Sequence, residues 1–360
     1  MLFCRGIMSN DNNWMLLTTL TGVLTLFAIF CLIPMAKKIG LVDKPGGRKK
    51  HLGDIPLIGG ISIFLVLATF AVFTGYFNND WKWVLGVASI LIIIGLIDDL
   101  WDIRPLYKLG AQIIVAILMM ISTGDFIQII AYLPSGHTIN ISELGYFITL
   151  FAVVGLINAF NMMDGIDGLA ATQAILSIVL TFTSMFILKV TFLNDIFIIF
   201  LLGALFGFLI ANLNLLPNTK VFLGDAGSMM LGFFIAWMLI SYTQTPNKHS
   251  LPPSLALWVV YVPVADTLAL SVRRILLGRS PFRPDRKHLH HICMRLGLSP
   301  MHSLSIICAL SIISYLIGIL TYTLFGEIAS IILFFMMIGL YYKFIKNIWR
   351  ISSIFRRLIY

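Results

Sequence analysis

Charged residues are scarce in this chain of 360 residues: Asp, Glu, Lys and Arg make up 11% of it, while hydrophobic residues make up 59%. Soluble domains carry about 25% charged residues. So little charge, with a mean hydropathy of +0.96, excludes an ordinary soluble protein. The composition instead predicts a chain that lies within a lipid bilayer.

Cysteine is also scarce, and the four cysteines (Cys4, Cys31, Cys293 and Cys308) show no paired spacing. Cys31 and Cys308 lie in apolar runs, where a free thiol packs as a small hydrophobic group. The sequence therefore predicts no disulfide or zinc framework. It also lacks a soluble domain, a repeat of fixed period and a low-complexity linker, so residues 1–360 are predicted to form one transmembrane domain.

Long apolar stretches are abundant. A helix needs about 20 residues to cross roughly 30 Å of hydrocarbon. Eleven stretches come near that length, and they predict an all-α polytopic membrane protein: about 14–35, 57–77, 81–97, 108–122, 146–160, 169–190, 195–212, 225–242, 254–277, 302–323 and 326–345. The first lacks a small-residue cleavage site, so it is predicted to be a retained span.

The basic residues predict the orientation. With eleven spans and a periplasmic N-terminus, the C-terminus is cytoplasmic, and all 25 Lys and Arg residues except Arg5, Lys82, Lys189 and Lys248 face the cytoplasm. This explains the net charge of +9 without a nucleic-acid partner. Five loops are thereby predicted on the cytoplasmic side, about 36–56, 98–107, 161–168, 213–224 and 278–301.

Three of these loops combine carboxylates with amides or glycines. Asp98 and Asp99 end an apolar stretch, and adjacent carboxylates are tolerated when a divalent cation, a proton or water compensates them. The next groups are Asn158, Asn161, Asp164 and Asp167, and then Lys220, Asp225 and Ser228. Each has a plainer interpretation: a solvated helix end for the pair, and helix capping for Asp167, Asp225 and Ser228.

The last predicted loop and the end of the apolar stretch before it are rich in Arg and His: Arg273, Arg274, Arg279, Arg283, Arg286, His288, His290 and His291. A guanidinium group can donate two parallel hydrogen bonds to the oxygens of one phosphate, so anion binding is predicted. A zinc site is the competing interpretation of the histidines, although neither cysteine nor a nearby acidic partner completes one. In the first loop, Lys44 and its basic neighbours could simply anchor to anionic lipid heads.

Asp266 stands apart, because it lies inside the ninth apolar stretch, seven residues before Arg273. A carboxylate at that depth is either paired with a structural partner, such as a cation of another helix, or catalytic. Both interpretations stay open.

Together these loops supply the groups needed for metal-bound pyrophosphate chemistry at a membrane surface. Their motifs resemble those of the polyprenyl-phosphate N-acetylhexosamine-1-phosphate transferases along almost the whole chain. The motifs are Asp98-Asp99, Asn161-Met-Met-Asp164-Gly-Ile-Asp167-Gly168, Phe222-Leu-Gly224-Asp225-Ala-Gly-Ser228 and Arg283-Pro-Asp285-Arg286-Lys-His288-Leu-His290-His291.

The resemblance implies transfer of N-acetylglucosamine 1-phosphate from UDP-N-acetylglucosamine to undecaprenyl phosphate, which gives undecaprenyl-diphosphate-N-acetylglucosamine and UMP. This would be the first membrane step of O-antigen or enterobacterial-common-antigen type lipopolysaccharide glycans. The resemblance also implies that the five cytoplasmic loops form the active site, at a bacterial inner membrane. It implies Mg²⁺, for which Mn²⁺ could substitute, and it allows a homodimer.

By the same resemblance, Asp225 and Asp99 would bind the metal, and Asp98 or Asp99 would deprotonate or orient the lipid phosphate for attack on the donor's β-phosphorus. The catalytic set would also include Asp164, Asp167 and His290. Substrate binding would fall to the remaining residues: Lys44, Asn158, Asn161, Lys220, Arg283, Arg286, His288 and His291.

Two alternatives remain at this stage. The same chemistry could use another UDP-N-acetylhexosamine or UDP-N-acetylmuramoyl-pentapeptide, although relatives that act on the pentapeptide usually carry three consecutive histidines, which the sequence His288-Leu289-His290-His291 does not. A transporter of a lipid-linked or anionic solute is the alternative of another class. A transporter should place charge near the middle of several spans, whereas here only Asp266 lies clearly inside one.

Overall fold

The computed structural model describes residues 14–44, 53–73, 79–133, 135–190, 196–244, 250–278, 280 and 287–359. Its helices are α1 (Trp14–Ile39), α2 (Gly59–Phe73), α3 (Asn79–Trp101), α4 (Pro105–Thr123), α5 (Leu144–Met163), α6 (Leu169–Ile187), α7 (Ile196–Asn212), α8 (Gly224–Gln244), α9 (Pro253–Val259), α10 (Tyr261–Leu276), α11 (Leu289–Arg295) and α12 (Pro300–Ile359). Two antiparallel strand pairs join β1 (Val42–Asp43) to β2 (Ile55–Pro56) and β3 (Ile129–Tyr132) to β4 (Thr138–Asn140).

Seven of the described helices are long and apolar enough to cross a membrane: α1, α3, α4, α5, α6, α8 and α12. The bent pair of α9 and α10 makes an eighth, and α2 and α7 are shorter apolar helices. The predicted class, an all-α polytopic membrane protein, is therefore confirmed. Every predicted stretch overlaps a helix, but the number of eleven spans and the sides of the termini stay predictions.

Helix α8 is the centre of the bundle: nearly all of its residues are buried, and it packs against α2, α3, α5 and α6. Between helices in a bilayer, close packing replaces the hydrophobic effect as the main attraction, so small residues line the contacts. A Cβ added to Gly60 of α2 would lie 2.2 Å from Gly227 Cα, and one added to Gly95 of α3 would lie 2.3 Å from Ala226 Cα. These contacts bring the first turn of α8 against α2 and α3.

The predicted ninth span is bent rather than continuous, because α9 and α10 meet at an angle of 76°. Pro263 accounts for the break. It has no N–H to donate to the carbonyl of Val259, four residues earlier, and its ring would clash with that carbonyl. Helix α9 accordingly ends at Val259. Asp266 and Arg274 lie on α10, which runs in a different direction from α9.

Helix α12 contains a break of its own at Gly326, whose φ of 83° and ψ of −178° are not helical. The next residue, Glu327, is buried and accepts hydrogen bonds from the backbone N–H groups of Tyr132 at 2.6 Å and Ser254 at 3.0 Å. One carboxylate thus joins the β3–β4 hairpin, the start of α9 and the middle of α12.

Candidate active site

A lysine held between two carboxylates forms the centre of the site. Lys108 Nζ, from the first turn of α4, lies 2.7 Å from Asp98 Oδ2 and 2.9 Å from Asp225 Oδ2. The backbone N–H of Asp225 donates to Asp99 Oδ1 at 3.0 Å. The ends of α3, α4 and α8 therefore place three carboxylates and one ammonium group together.

The local sequence explains why these groups converge. Asp98 and Asp99 lie in the last turn of α3, and only residues 102–104 separate that helix from Pro105, which begins α4. Asp98 Oδ1 accepts the N–H of Ile103 at 3.0 Å and fixes this short connection. One turn before the carboxylates, Gly95 allows α3 to approach Ala226 of α8, which brings Asp99 to the N-terminus of α8.

Two side-chain amides of α5 tie this helix to α4 and α8. Asn158 Nδ2 donates to Gln112 Oε1 of α4 at 2.6 Å, and Asn161 Nδ2 donates to Ser228 Oγ of α8 at 2.9 Å. Past the end of α5, Asp167 forms an ion pair with Lys220. The predicted loops around residues 98–107, 161–168 and 213–224 are thus in direct contact.

Asp164 follows α5 directly and lies among like charges. Burial, with the negative charges of Asp225, Asp99 and Asp167, raises the pKa of Asp164 to about 8. The carboxyl group is therefore largely protonated near neutral pH until a cation compensates the cluster.

This pKa predicts a pH-dependent stability. The folded-state pKa of Asp164 is raised from 3.8 to about 8, so its contribution to stability is full at low pH and is lost as pH rises through about 8. In EDTA, the unfolding temperature of the wild type is expected to fall more between about pH 5 and about pH 9 than that of Asp164→Asn. Thermal unfolding of both in one detergent measures the difference.

The control for that comparison is Asp102→Asn, because Asp102 is exposed at the start of the connection between α3 and α4. Asp102→Asn should keep the pH slope of the wild type. Equal slopes for wild type and Asp164→Asn would contradict the assignment of this titration to Asp164.

The histidines lie on the other side of the Asp164–Asp167 turn. His288 and His290 are buried, and the ring centroids of His290 and His291 are 4.1 Å apart. A Cβ added to Gly165 would lie 2.1 Å from His290 Nε2, an atom that is buried without a hydrogen-bond partner. Burial and the neighbouring His291 and His288 lower the pKa of His290 to about 3. His290 is thus a neutral imidazole, packed against the turn.

Of the predicted binding residues, Lys44 makes no described contact with this constellation. Lys44 is exposed just after β1. Arg283 and Arg286 fall outside the described residues, so their predicted contacts stay predictions.

The metal expectation can be compared with the donor atoms. Within the part of the chain that the structure describes, no three His, Cys, Asp or Glu side chains are close enough to hold a metal ion by themselves. Mg²⁺ is usually held by one or two carboxylates, with waters and substrate phosphates as the other ligands. Asp99 Oδ2 is buried with no hydrogen-bond partner, and such an uncompensated acceptor beside Asp225 fits a magnesium ligand.

Residues 81–243 match the family model described as glycosyl transferase family 4. The chain is also 35% identical, over 356 residues, to the undecaprenyl-phosphate alpha-N-acetylglucosaminyl 1-phosphate transferase of Escherichia coli strain K12, a match that covers 95% of each protein. The chain belongs to glycosyl transferase family 4. The protein of the same name from Haemophilus influenzae is 35% identical over 344 residues, which cover 90% of this chain and 92% of that protein.

Membership of glycosyl transferase family 4 confirms the resemblance seen in the motifs and the expectation of an enzyme. The matched family region contains the carboxylates, Lys108 and the α5 amides. His288, His290 and His291, which together are called the histidine loop below, lie beyond that region, as does Asp266. All four lie within the length over which the family relatives align.

Sequence reasoning missed two residues of this family 4 site. Lys108 was counted only among the cytoplasmic cations, and Gln112 was not singled out. Their spacing contained a signal: they are four positions apart, which places both on one face of α4.

Proposed function

We propose that this protein transfers N-acetylglucosamine 1-phosphate from UDP-N-acetylglucosamine to undecaprenyl phosphate, and releases UMP. The observation that carries the proposal is Lys108 bound between Asp98 and Asp225, beside the unpartnered oxygen of Asp99. An ammonium group within a carboxylate cluster suits phosphate groups that arrive with a divalent cation. The names of the relatives, which align along 95% of the chain, support the transferred group and the acceptor.

The reaction follows from these groups. A phosphate oxygen of the lipid attacks the β-phosphorus of the donor, a new P–O bond forms, and the bond from that phosphorus to the α-phosphate oxygen breaks to release UMP. Lys108 holds phosphate oxygens, and Asp98 or Asp99 orients or deprotonates the lipid phosphate. Bound at Asp99 and Asp225, Mg²⁺ or Mn²⁺ would neutralise the charge that develops on the phosphates.

Asp164, Asp167 and Lys220 would place the nucleotide, and the histidine loop would complete the donor site. Helix ends suit this arrangement, because the first-turn N–H groups of α8 favour anions. The neutral imidazole of His290 acts in this account by its position against Gly165, since its low pKa leaves it without the acidic proton of an imidazolium near neutral pH.

The proposal places the active site at the cytoplasmic face of the bacterial inner membrane, in a protein of eleven spans with a periplasmic N-terminus. The excess of Lys and Arg in the predicted cytoplasmic loops supports this orientation. Phe222 N–H also donates to the Pro56 carbonyl at 2.9 Å. This contact joins the predicted loops 36–56 and 213–224, as is expected if both lie on the same side of the membrane. The product would start lipopolysaccharide glycans of the O-antigen or enterobacterial-common-antigen type.

A donor panel tests the proposed reaction. Purified protein is given undecaprenyl phosphate with UDP-N-acetylglucosamine, UDP-N-acetylgalactosamine or UDP-N-acetylmuramoyl-pentapeptide, with Mg²⁺ or EDTA, and both lipid and nucleotide products are identified. We expect UDP-N-acetylglucosamine to be preferred, UMP to be released and EDTA to stop the reaction. Preference for another donor would correct the sugar, and no turnover of any donor would overturn the proposal.

The contact between Gly165 and His290 gives a further prediction. Gly165→Ala should displace the His290 ring, because an added Cβ would lie 2.1 Å from its Nε2, and should lower kcat/KM by about tenfold to a hundredfold. Gly155→Ala is the matched control, since a Cβ at this α5 glycine meets nothing within 4 Å. Equal kinetics for the two variants would show that this contact is irrelevant to transfer.

A further inference from the structure

Asp266 is a buried carboxylate on α10 that is bonded on both oxygens. Its Oδ2 lies 2.8 Å from His288 Nδ1. Its Oδ1 accepts the backbone N–H of Leu289 at 3.1 Å and the hydroxyl of Tyr341 at 2.9 Å. Asp266 thus joins three segments that are far apart in sequence: α10, the start of α11 and the second half of α12.

His288 has a polar neighbour at each ring nitrogen. On the side opposite Asp266, its Nε2 lies 3.5 Å from a guanidinium nitrogen of Arg274. A carboxylate only accepts and a guanidinium only donates, so Nδ1 carries the proton and Nε2 the lone pair. All three residues are nearly inaccessible, with exposures of 3% for Asp266, 4% for His288 and 3% for Arg274.

This arrangement determines where the rest of the histidine loop lies. His288 immediately precedes α11, and two residues later His290 packs against Gly165 in the Asp164–Asp167 turn. A buried carboxylate is costly unless it is bonded, and its partners are then held firmly. A shift at Asp266 would therefore move the histidines relative to the carboxylate cluster.

We propose that Asp266 is a positioning residue for the nucleotide-sugar donor: it fixes His288 in one tautomer and anchors α11, so that the histidine loop keeps its place beside the Asp164–Asp167 turn. This inference rests on the proposed function and deepens it. Asp266 touches no reacting atom in this account, and it acts through His288. Tyr341 supports it from α12.

Asp266→Asn tests the proposal, because Asn has the same shape and can keep the Oδ1 contacts while it presents an NH₂ group to His288 Nδ1. That reverses the hydrogen bond, and the Nε2–H tautomer then required would face Arg274. We expect the KM for UDP-N-acetylglucosamine to rise about tenfold, with less than about a threefold change in the KM for undecaprenyl phosphate. Equal KM values in variant and wild type would overturn the proposal.

Glu327→Gln is the matched control, because Glu327 is also a buried carboxylate that accepts backbone N–H groups, from Tyr132 and Ser254. A purely structural role for Asp266 predicts that both variants lose stability and leave the donor KM unchanged.

Tyr341→Phe should raise the donor KM about threefold. Tyr315→Phe should not, although it removes another buried hydroxyl of α12, one that is hydrogen-bonded to Ser184 of α6.

A double-mutant cycle tests whether Asp266 acts through His288. In a His288→Asn background, Asp266→Asn should change the donor KM by less than about twofold. If the donor KM of the double variant instead rose by the product of the two single effects, Asp266 would not act through His288.

Hydrogen exchange of residues 287–296 separates this inference from the proposed function. Faster exchange in Asp266→Asn, but not in Glu327→Gln, is expected whichever donor the enzyme uses. If the wild type fails to use UDP-N-acetylglucosamine, the proposed function fails, while unchanged exchange in Asp266→Asn would overturn the anchoring role.

Discussion

Asp225→Asn is expected to lower the turnover of the enzyme by about three orders of magnitude. One carboxylate oxygen of Asp225 forms an ion pair with Lys108, and the backbone N–H of Asp225 donates a hydrogen bond to Asp99. The amide keeps the shape of the side chain but loses the charge that would attract a divalent cation. The KM for Mg²⁺ should therefore rise together with the loss of kcat, measured in a transfer assay across a Mg²⁺ titration.

The control is Asp102→Asn, because Asp102 is exposed and adopts a positive φ of 48°, which Asn also tolerates. It should turn over like the wild type. Activity of Asp225→Asn within about tenfold of the wild type at saturating Mg²⁺ would contradict the assignment of Asp225 to the metal and phosphate site.

Lys108→Met should lower kcat by a factor of about a hundred to a thousand. The ammonium group lies within 2.9 Å of both Asp98 and Asp225, so its removal takes away a phosphate contact and leaves two carboxylates to repel each other. The same repulsion should lower the unfolding temperature in EDTA. Addition of Mg²⁺ should restore part of that loss, because the cation replaces the missing positive charge.

Arg104→Gln is the matched control, since Arg104 is an exposed cation just before α4 that makes no side-chain capping bond. It should leave both kcat and stability unchanged. If Lys108→Met kept the turnover of the wild type, the lysine would be a structural cation only, and the central observation behind the proposed function would be lost.

Much of the site could be predicted from the sequence, because its groups occur as short motifs at the ends of apolar stretches. Asp98-Asp99 and Asp225 were identified in this way. Their contact through Lys108 was not, since the approach of α3 to α8 depends on Gly95 packing against Ala226. Which faces of two helices meet is a property of packing, and one sequence does not state it.

Asp266 shows the same limit. Its position inside a span indicated a partner, and a cation of another helix was one expectation. The structure instead gives His288 and Tyr341, which lie 22 and 75 residues further along the chain. The short strand pairs were also not predicted. β1 and β2 have two residues each, too few to produce an alternating pattern.

The bend between α9 and α10 could have been predicted more closely. Pro263 lies in an otherwise apolar run, and a proline there removes the hydrogen bond to Val259. Apolar composition alone identified the stretch but not its break, because hydropathy does not register the loss of one backbone donor.

The central claim is that the β-phosphate of the donor moves with the sugar. A donor that carries ³²P in its β-phosphate and ³H in its N-acetylglucosamine tests this directly, with undecaprenyl phosphate as the acceptor. The account predicts that both labels enter the lipid in equal molar amounts and that unlabelled UMP is released. Tritium in the lipid without ³²P, with labelled UDP in solution, would mean that the sugar alone is transferred and would contradict it.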